Sequence, residues 1–498
     1  MTDVVIGDVA DVGPTRALDA VVIGAGPAGL FAAWRLASSG ARVALLEAGS
    51  GMRASLCRKV GARMQGRTVR AAEKFRMQCH RCDCMTGLGG AAFHFDTNLG
   101  YVRGLSQSKI ENDGRGGIRT YSGLERALGG FDRAARSVHE VYQLMYRFGL
   151  PPAEAEPPPV AGPPPGAGSE GVSRGGIPAG FALADEAVSQ AITVDEALTV
   201  IDGLLADALA HGLDLCLKTR ADAILRQRDG TWAVRAGVAE FRAPNVIIAV
   251  GKLGLPWVRS LLEQHAVAHR PSTRVDVGVR LEAPREITAP LTATCHNPKF
   301  TFLNDSAEPV RTFCVCDGGR IMQYAFLDTV VLDGQHCLTT PTGRTNFGIV
   351  TTVELPRGRD GTAYALEFAR AVTRAGQGLP VVQPLLELLG GAPAATRPGT
   401  SLIHAHWTDL AAAIGPQRVA DIAAMARRLE EVAPGLTGPD TVVAAPVIER
   451  LFPAIELSPD LESSAPGLYF VGDCSSKIIG VTYGASTGLS AAAAVLRG

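Results

Sequence analysis

The sequence predicts an α/β protein with a discontinuous Rossmann-type nucleotide-binding domain, into which a mostly antiparallel domain and a helical subdomain are inserted. In Ala20–Glu47, an apolar strand, a Gly-x-Gly-x-x-Gly turn, a helical segment and a second strand follow one another. Residues 271–355 contain several apolar or alternating runs, which are typical of antiparallel strands. Residues 468–473 read as a strand that ends in Gly-Asp and precedes a helix of small residues.

The glycine turn has the chemistry of a pyrophosphate site. Gly24 allows the tight turn, Gly26 lets the backbone approach a pyrophosphate, and Gly29 lets the helix pack closely on the strand. The N–H groups at the start of that helix, with the positive end of its dipole, would hold the phosphates. Glu47, which ends the second strand, is placed to accept from a ribose hydroxyl. The expected dinucleotide site comprises Gly24, Gly26, Pro27, Ala28, Gly29, Glu47 and Ala48.

The C-terminal strand and helix favour a flavin. The strand ends in Gly472 and Asp473, and an acid at this place can bond ribityl hydroxyls. The helix that Gly484 and Ala485 open can stabilise negative charge at the N1/O2 edge of a reduced ring. A further buried strand ends in Gly251, which would pass close to the cofactor; an ordinary core strand is the alternative. With the N-terminal turn, these features predict FAD rather than NAD.

The length of 498 residues suits two or three domains. The predicted FAD-binding domain comprises residues 19–122, 193–270 and 441–498. Residues 123–192 form a helical subdomain followed by a linker or flap rich in Pro and Gly. Residues 271–440 form the substrate domain.

Composition excludes several classes of partner. The formal net charge of -1 gives no reason to expect nucleic acid. No apolar run approaches the roughly 18 residues of a membrane span, and the N-terminal residues lack the pattern of a secretory signal. Ten cysteines are spread over the chain without the density of a disulfide scaffold. We therefore expect a cytoplasmic protein with a small-molecule substrate; a homo-oligomer is compatible with the sequence.

Several motifs together resemble one group of flavoproteins. They are Cys79-x-x-Cys82 before Gly87-x-Gly89-Gly90-Ala91, the strand Val277–Glu282, the segment Thr312–Gly319, Arg344-x-Asn346 and the Gly-Asp end. The chain resembles the two-dinucleotide-binding-domain FAD flavoproteins, which include glutathione reductase, and more narrowly the bacterial FAD-dependent dehydrogenases described as NAD(FAD)-utilising. This resemblance implies a glutathione reductase-like fold and bound FAD, with Gly89 and Gly90 among the cofactor-binding residues.

Three segments depart from that family's pattern: Phe95–Leu99, Gly251–Pro256 and Ser475–Gly480. They cluster where flavin and substrate would meet. The departures indicate a specialised substrate, and no catalytic role is carried over at these positions.

The expected reaction follows from what the sequence lacks. No second Gly-x-Gly-x-x-Gly has a strand before it and an acid after it. We therefore expect the substrate itself to reduce the flavin, by giving a hydride from a C–H next to N or O to flavin N5, and dioxygen or another acceptor to reoxidise it. The step would belong to a specialised biosynthesis. The alternatives are a flavin monooxygenase and a non-catalytic flavin-stabilised binding or RNA-modification scaffold.

Two lysines and one cysteine cluster are candidates for catalysis. Lys252 and Lys477 could hold a water or stabilise the anionic ring, or lie on the surface. Cys79 and Cys82, with Cys84, could form a redox-active disulfide or be inert core thiols. They could also contribute to a metal site. A structural zinc needs four ligands, and a second close pair of cysteines occurs only at Cys314/Cys316; we predict no metal.

The remaining candidates are single side chains. His94 and His296 could act as bases or be structural. Arg344, like Arg280, could bind a substrate carboxylate through its guanidinium, or form a structural salt bridge. Tyr324 and Tyr483 could hydrogen-bond the substrate or the ring, although core packing is the favoured role of Tyr324.

Overall fold

The computed structural model describes most of the chain. The described residues are 18–51, 86–93, 96–100, 110–112, 118–120, 123–152, 182–183, 189–293, 297–393, 396–402, 404–476, 478 and 480–498.

Within these residues, five strands form a parallel sheet. In spatial order they are Leu468–Phe470, Asn245–Ile248, Ala20–Ile23, Val43–Leu46 and Asp214–Cys216. The two strands of the predicted N-terminal unit are buried along their whole length, as expected for a parallel sheet covered on both faces. Because strands from both ends of the sequence share this sheet, the nucleotide-binding domain is discontinuous, as predicted.

Helices cover one face of the parallel sheet. The first helix, Pro27–Ser38, packs on the last helix, Val481–Arg497, so closely that a Cβ at Gly488 would collide with the carbonyl oxygen of Ala28. The same core includes the helices Gly123–Leu128, Phe131–Arg147 and Val194–Ala210. The helix Val194–Ala210 begins with a capping box in which Thr193 and Glu196 satisfy each other's backbone N–H groups.

A second, larger sheet packs toward the opposite face. In the described part of the chain it has eight strands, in the order His406–Trp407, Val381–Pro384, Val442–Glu449, Arg274–Pro284, Arg344–Glu354, Pro309–Cys316, Phe300–Leu303 and Ala182–Leu183. All neighbours are antiparallel except the first two. We call it the large sheet. Antiparallel strands thus occur where the sequence predicted them, and a role in substrate binding stays a prediction.

Smaller elements complete the fold. The strands Ala223–Arg226, Trp232–Ala236 and Ala239–Ala243 form an antiparallel sheet, and Arg320–Phe326 pairs with Thr329–Gln335. Three further strand pairs are Thr97–Gly100 with Ser189–Ile192, Ile110–Asn112 with Ile118–Thr120, and His269–Arg270 with Ala454–Ile455. The remaining helices are Leu255–Gln264, Arg285–Thr292, Gly361–Ala375, Leu385–Leu388, Ala411–Ile414 and Pro416–Val432; short 3₁₀ turns are Ala91–Phe93, Lys252–Gly254 and Gly472–Ser475.

Two features of the large sheet differ from the predictions. The apolar spacing in Tyr364–Val372 and Val419–Leu429 predicts that residues 361–435 are largely helical, and helices occur at both places. Between them, however, Val381–Pro384 is a fully buried strand. Val442–Glu449 pairs with Arg274–Pro284, so the large sheet extends past the predicted boundary at residue 440. Val442–Ile448 is a short apolar run, and Val381–Pro384 is a four-residue segment that Gln383 interrupts. Such short runs do not reveal which sheet they join.

Candidate functional site

The glycine turn at the edge of the parallel sheet requires its glycines. Gly24 has a φ of 100°, in the region that favours glycine. A Cβ at Gly29 would collide with the carbonyl oxygen of Gly24. Gly26 is the N-cap of the first helix, with Pro27 at the first turn and no side-chain cap. The helix N-terminus therefore presents backbone N–H groups and a positive dipole end to this edge, which suits an anion.

Glu47 holds this turn in place. Its buried carboxylate accepts hydrogen bonds from the N–H groups of Ala25 (2.8 Å), Gly49 (2.7 Å) and Gly87 (3.0 Å). A carboxylate has about four acceptor positions, so about one is left for a ribose hydroxyl. The bracing role was not foreseen from the sequence. Ala48, next to it, is exposed at the same edge.

The Gly87–Gly90 segment packs directly on the glycine turn. Gly89 donates its N–H to the carbonyl oxygen of Ala25 at 2.8 Å. Gly90 has a φ of 63°, and a Cβ there would lie 2.9 Å from the Cα of Gly26. The structure thus brings Gly89 and Gly90 to the predicted phosphate site, and their contact with the cofactor itself stays a prediction.

The Gly-Asp end lies beside the first helix. A Cβ at Gly472 would be 3.1 Å from the Cβ of Ala28, and the Gly472 N–H donates to the Thr487 hydroxyl at 2.8 Å. Asp473 is half-buried, and among the described residues none donates a hydrogen bond to its carboxylate. Burial, with the nearby charge of Glu449, raises the pKa of Asp473 to about 6, although Lys252 opposes the shift.

The start of the last helix faces the same end. Gly484 donates its N–H to the carbonyl of Gly480 at 2.9 Å, and a Cβ at Gly484 would be 3.9 Å from the Cα of Gly472. Ala485 is fully buried. The N–H groups of Val481 and Thr482 precede the first intrahelical bond and have no acceptor within the helix.

Lys252 is buried between the two sheets, not exposed. Its ammonium donates to the Glu449 carboxylate at 2.8 Å and to the Ile448 carbonyl at 2.9 Å, and it lies 5.7 Å from the ring centroid of Tyr324. Burial would lower the pKa of Lys252, but the charge of Glu449 and the contact with Tyr324 outweigh it, so the net pKa lies above its ordinary value. Lys252 is therefore a fixed positive charge and not a base.

The predicted substrate residues are two buried tyrosines and one arginine that the fold itself holds. The Tyr324 side chain is 2% exposed, and burial raises its pKa. The Tyr483 ring packs on Gly100, where a Cβ would lie 2.8 Å from its Cζ, and burial raises its pKa too. Arg344 donates to the carbonyls of Asp440 (2.7 Å) and Glu282 (3.2 Å) and lies 3.6 Å from the Glu282 carboxylate. The Arg344 guanidinium is engaged in the fold, which favours the structural salt bridge for this residue.

Other predicted residues lie outside the part of the chain that the structure describes: Lys477, Cys79, Cys82, Cys84, His94 and His296. Their roles stay predictions.

Sequence reasoning missed two acids, Glu449 and Asp333. Glu449 pairs with Lys252, and burial with the charges of Cys314 and Glu449 raises the pKa of Asp333. A weak signal was present, because each acid interrupts or ends an apolar strand: Val330–Leu332 precedes Asp333, and Val442–Ile448 precedes Glu449. Nothing in the spacing connects these strands to each other or to Lys252.

The described residues fit an FAD molecule along this edge. Gly26 and Gly90 lie against each other without side chains, which keeps the backbone of this edge open to a phosphate, and no atom lies within 4 Å of the place where a Cβ of Gly251 would stand. Asp473 offers a carboxylate for ribityl hydroxyls, and the buried Thr482 hydroxyl has no hydrogen-bond partner among the described residues.

Comparison with known proteins agrees on the cofactor. Residues 19–109 match the family described as FAD binding domain (FAD_binding_2). The glycine turn and the family match together make FAD the cofactor and place the chain among FAD-dependent oxidoreductases, since FAD serves proteins as an electron carrier. No curated relative matches the sequence.

Solved structures of similar fold are distant. Glycine oxidase from Geobacillus kaustophilus has 13% identity and a TM-score of 0.38, over 97% of this chain and 95% of that one. NikD, an unusual amino acid oxidase essential for nikkomycin biosynthesis, has 12% identity and a TM-score of 0.36, over 96% and 93%. A flavoprotein/dehydrogenase from Cytophaga hutchinsonii has 11% identity and a TM-score of 0.35, over 96% and 76%. Likeness at this level assigns no substrate.

Within the described ranges, no helix combines the length and the apolar character needed to cross a membrane.

Proposed function

We propose that this FAD-dependent oxidoreductase oxidises a small molecule by taking a hydride from a C–H next to nitrogen or oxygen, in a specialised biosynthetic step. The observation that carries the proposal is the buried group that faces the Gly-Asp end. Lys252 and Glu449 both act electrostatically on Asp473, and Tyr324, from the strand Arg320–Phe326, packs beside Lys252. Fixed charges at the meeting point of the two sheets suit a reaction in which charge moves between substrate and cofactor.

When bound, FAD accepts two electrons and one proton as a hydride at its ring. The chain's contribution is electrostatic. The Lys252 ammonium stays charged because Glu449 pairs with it at 2.8 Å, and the start of the helix Val481–Arg497 adds the positive end of a dipole. Both favour negative charge at the sheet edge, while Asp473 and Glu47 offer acceptors to hydroxyl groups.

The source of electrons follows from the nucleotide sites. The sequence has one dinucleotide turn with a strand before it and an acid after it, so a second nucleotide domain for NADH or NADPH is not expected. We propose that the substrate reduces the flavin directly and that dioxygen or another acceptor takes the electrons.

Anaerobic mixing of the FAD-bound protein with panels of amines, amino acids and alcohols tests this. Loss of the flavin's visible absorbance with a member of the panel, in the absence of NADPH, is the expected result. Reduction by NADPH alone would overturn the proposal in favour of a monooxygenase. Bound FAD that neither the panels nor NADPH reduce would favour the non-catalytic scaffold.

A further inference from the structure

A cluster of thiols lies on the large sheet, at the end of the strand Pro309–Cys316. The sulfurs of Cys314 and Cys316 are 3.7 Å apart, and the Nε2 of His336 lies 3.7 Å from the Cys316 sulfur. The guanidinium of Arg280, fully buried, donates to the Cys314 carbonyl at 2.7 Å and lies 3.8 Å from the Cys316 sulfur. Cys314 is half-buried and Cys316 is buried, so one sulfur of the pair is reachable.

The backbone brings the two sulfurs together. Pairing between Pro309–Cys316 and Arg344–Glu354 shifts register between Phe313 and Cys316. Within this bulge Cys314 has a φ of 47°, a conformation that a residue with a Cβ rarely adopts. Strained backbone of this kind persists where the surrounding structure enforces it, and it is frequent at functional sites.

Two glycines, Gly334 on the strand Thr329–Gln335 and Gly319 in a turn, leave room for the cluster. A Cβ at Gly334 would collide with the Arg280 guanidinium and lie 2.7 Å from the Cys316 sulfur. A Cβ at Gly319 would lie 2.6 Å from the Cβ of Cys316. The strand geometry and the packing therefore agree on one arrangement of these side chains.

The same geometry could bind a metal ion, since the ligand atoms of Cys314, Cys316 and His336 lie within 4.8 Å of one another. Two observations argue against one. The buried Arg280 guanidinium would face the metal as a like charge. The Nε2 of His336, the nitrogen that faces the sulfurs, also lies 2.7 Å from the side-chain amide of Asn98, a contact that a metal would have to displace.

The cluster is connected to the flavin end of the molecule. The Nη1 of Arg280 lies 3.6 Å from the Asp333 carboxylate. Asp333 interacts electrostatically with both Lys252 and Glu449, and those two act on Asp473. A series of charged groups, of which Arg280 is fully buried and the others are partly exposed, thus runs from the thiols to the Gly-Asp end.

We propose that Cys314 and Cys316 form a redox-active dithiol that is oxidised to a disulfide by the bound flavin and reduced again in the reverse step. This rests on the proposed function only in requiring bound FAD as the two-electron acceptor. Closing the disulfide needs the sulfurs to approach from 3.7 Å to about 2.0 Å, a movement within the reach of side-chain rotation.

The electron balance is simple. The hydrogen bond from Cys316 chiefly lowers the pKa of Cys314; burial opposes it, and His336 and Arg280 add to the lowering, so the net pKa lies well below its usual value. Burial raises the pKa of Cys316. One thiolate and one thiol lose two electrons and one proton as the S–S bond forms and the S–H bond breaks. Two electrons and one proton are what an oxidised flavin takes up to become its singly protonated reduced anion.

The first test is anaerobic titration of the FAD-bound protein with dithionite. We expect the oxidised protein to take up about two two-electron equivalents per FAD, and Cys316→Ser to take up about one. Cys337→Ser is the matched control, because this buried thiol comes just after the strand Thr329–Gln335 and accepts from Arg320 at 3.3 Å; it should behave as wild type. One equivalent for the wild type overturns the proposal, as does a second equivalent that survives in Cys316→Ser and disappears in Cys79→Ser/Cys82→Ser.

A second readout needs neither activity nor a folded variant. Differential alkylation of the wild-type protein, with mass spectrometry of the peptide that contains both cysteines, should show both blocked after oxidation and both alkylated after reduction. Free thiols in the oxidised sample, or stoichiometric zinc in the purified protein, overturn the proposal. Failure of every substrate to reduce the flavin concerns the proposed function alone, because dithionite and alkylation report on the thiols independently.

Discussion

The two ends of the candidate site are built in different ways. At the glycine turn, the groups that face the cofactor are mainly backbone: N–H groups, glycines without a Cβ, and one carboxylate that braces them. At and beside the large sheet, the polar groups are side chains from separate strands, such as Arg280 of the large sheet and Asp333 of the neighbouring strand pair, which attract each other by charge. The difference teaches that a backbone site depends on shape and tolerates no added atoms, whereas a side-chain site depends on charge balance.

The largest effect is expected where charge balance is broken without any link to the cofactor. Asp276 is fully buried and pairs with Arg311 at 2.6 Å and Arg450 at 3.0 Å. Asp276→Asn removes the buried counter-charge that Arg311 and Arg450 share and should lower the free energy of unfolding by about 3–5 kcal/mol in urea denaturation. The matched change at an exposed pair, Asp19→Asn beside Arg42, should cost less than about 1 kcal/mol. Equal losses would contradict the distinction.

The same acid predicts a pH dependence. Although burial opposes it, Arg450 and Arg311 lower the pKa of Asp276 to about 2. A lowered pKa contributes stability that is present above the unfolded value, near 3.8, and is lost as pH falls toward about 2. Asp276→Asn should remove that part of the acid destabilisation.

A side chain added in the glycine turn should weaken FAD binding by a steric effect. In Gly29→Ala, the added methyl group meets the Gly24 carbonyl oxygen, so the turn must open. We expect FAD affinity to fall by about 5- to 150-fold, measured by titration of the apoprotein with FAD, from a strain of about 1–3 kcal/mol. Gly343→Ala is the control, because no atom lies within 4 Å of its added Cβ. Unchanged affinity in Gly29→Ala would remove the glycine turn from the cofactor site.

Lys252 tests the contrast between the two regions, because it follows a strand of the parallel sheet and pairs with Glu449 of the large sheet. Lys252→Met with Glu449→Gln removes both charges and avoids leaving Glu449 buried alone. We expect FAD to remain bound and its reduction by substrate to slow by about 10–100-fold, because a preorganised positive charge is lost. Stopped-flow reduction at fixed FAD occupancy measures this, and an unchanged rate would make the pair purely structural.

The smallest effect concerns Asp473. Its pKa of about 6 means that the carboxylate takes up a proton as pH falls through this value. Ribityl hydroxyls prefer the ionised acceptor, so FAD affinity should decline by up to about tenfold per pH unit below about pH 6. Asp473→Asn should bind more weakly at neutral pH and show a flatter profile between about pH 5 and pH 7. Parallel profiles would place the pH dependence elsewhere.

This contrast also explains how much could be predicted from the sequence. Gly24, Gly26, Gly29 and Glu47 lie in one short stretch whose order reflects its geometry, so its position at the sheet edge followed from a local pattern. The Gly-Asp end could be assigned to the same edge because it also ends a strand. That each of these residues contacts FAD remains a prediction.

The side-chain site could not be predicted in the same way. The pairing of Lys252 with Glu449 depends on how two sheets meet, and the closeness of Cys314 to His336 depends on a bulge and on the register of neighbouring strands. Strand alternation placed Cys314 and Cys316 on one face, but it could not supply Arg280 beside them. Likewise, the continuous apolar run at 442–448 does not indicate which sheet it joins.

The parallel sheet has a consequence for synthesis of the protein. Its first strand, Ala20–Ile23, needs the neighbour Asn245–Ile248, which in turn needs Leu468–Phe470. On the ribosome, the N-terminal strand therefore waits for almost the entire chain before its sheet is complete. The large sheet, whose strands lie between, can assemble earlier. We therefore expect FAD to bind only after the last strand is in place, and a truncated chain that lacks the last helix to accumulate in the cell without its cofactor.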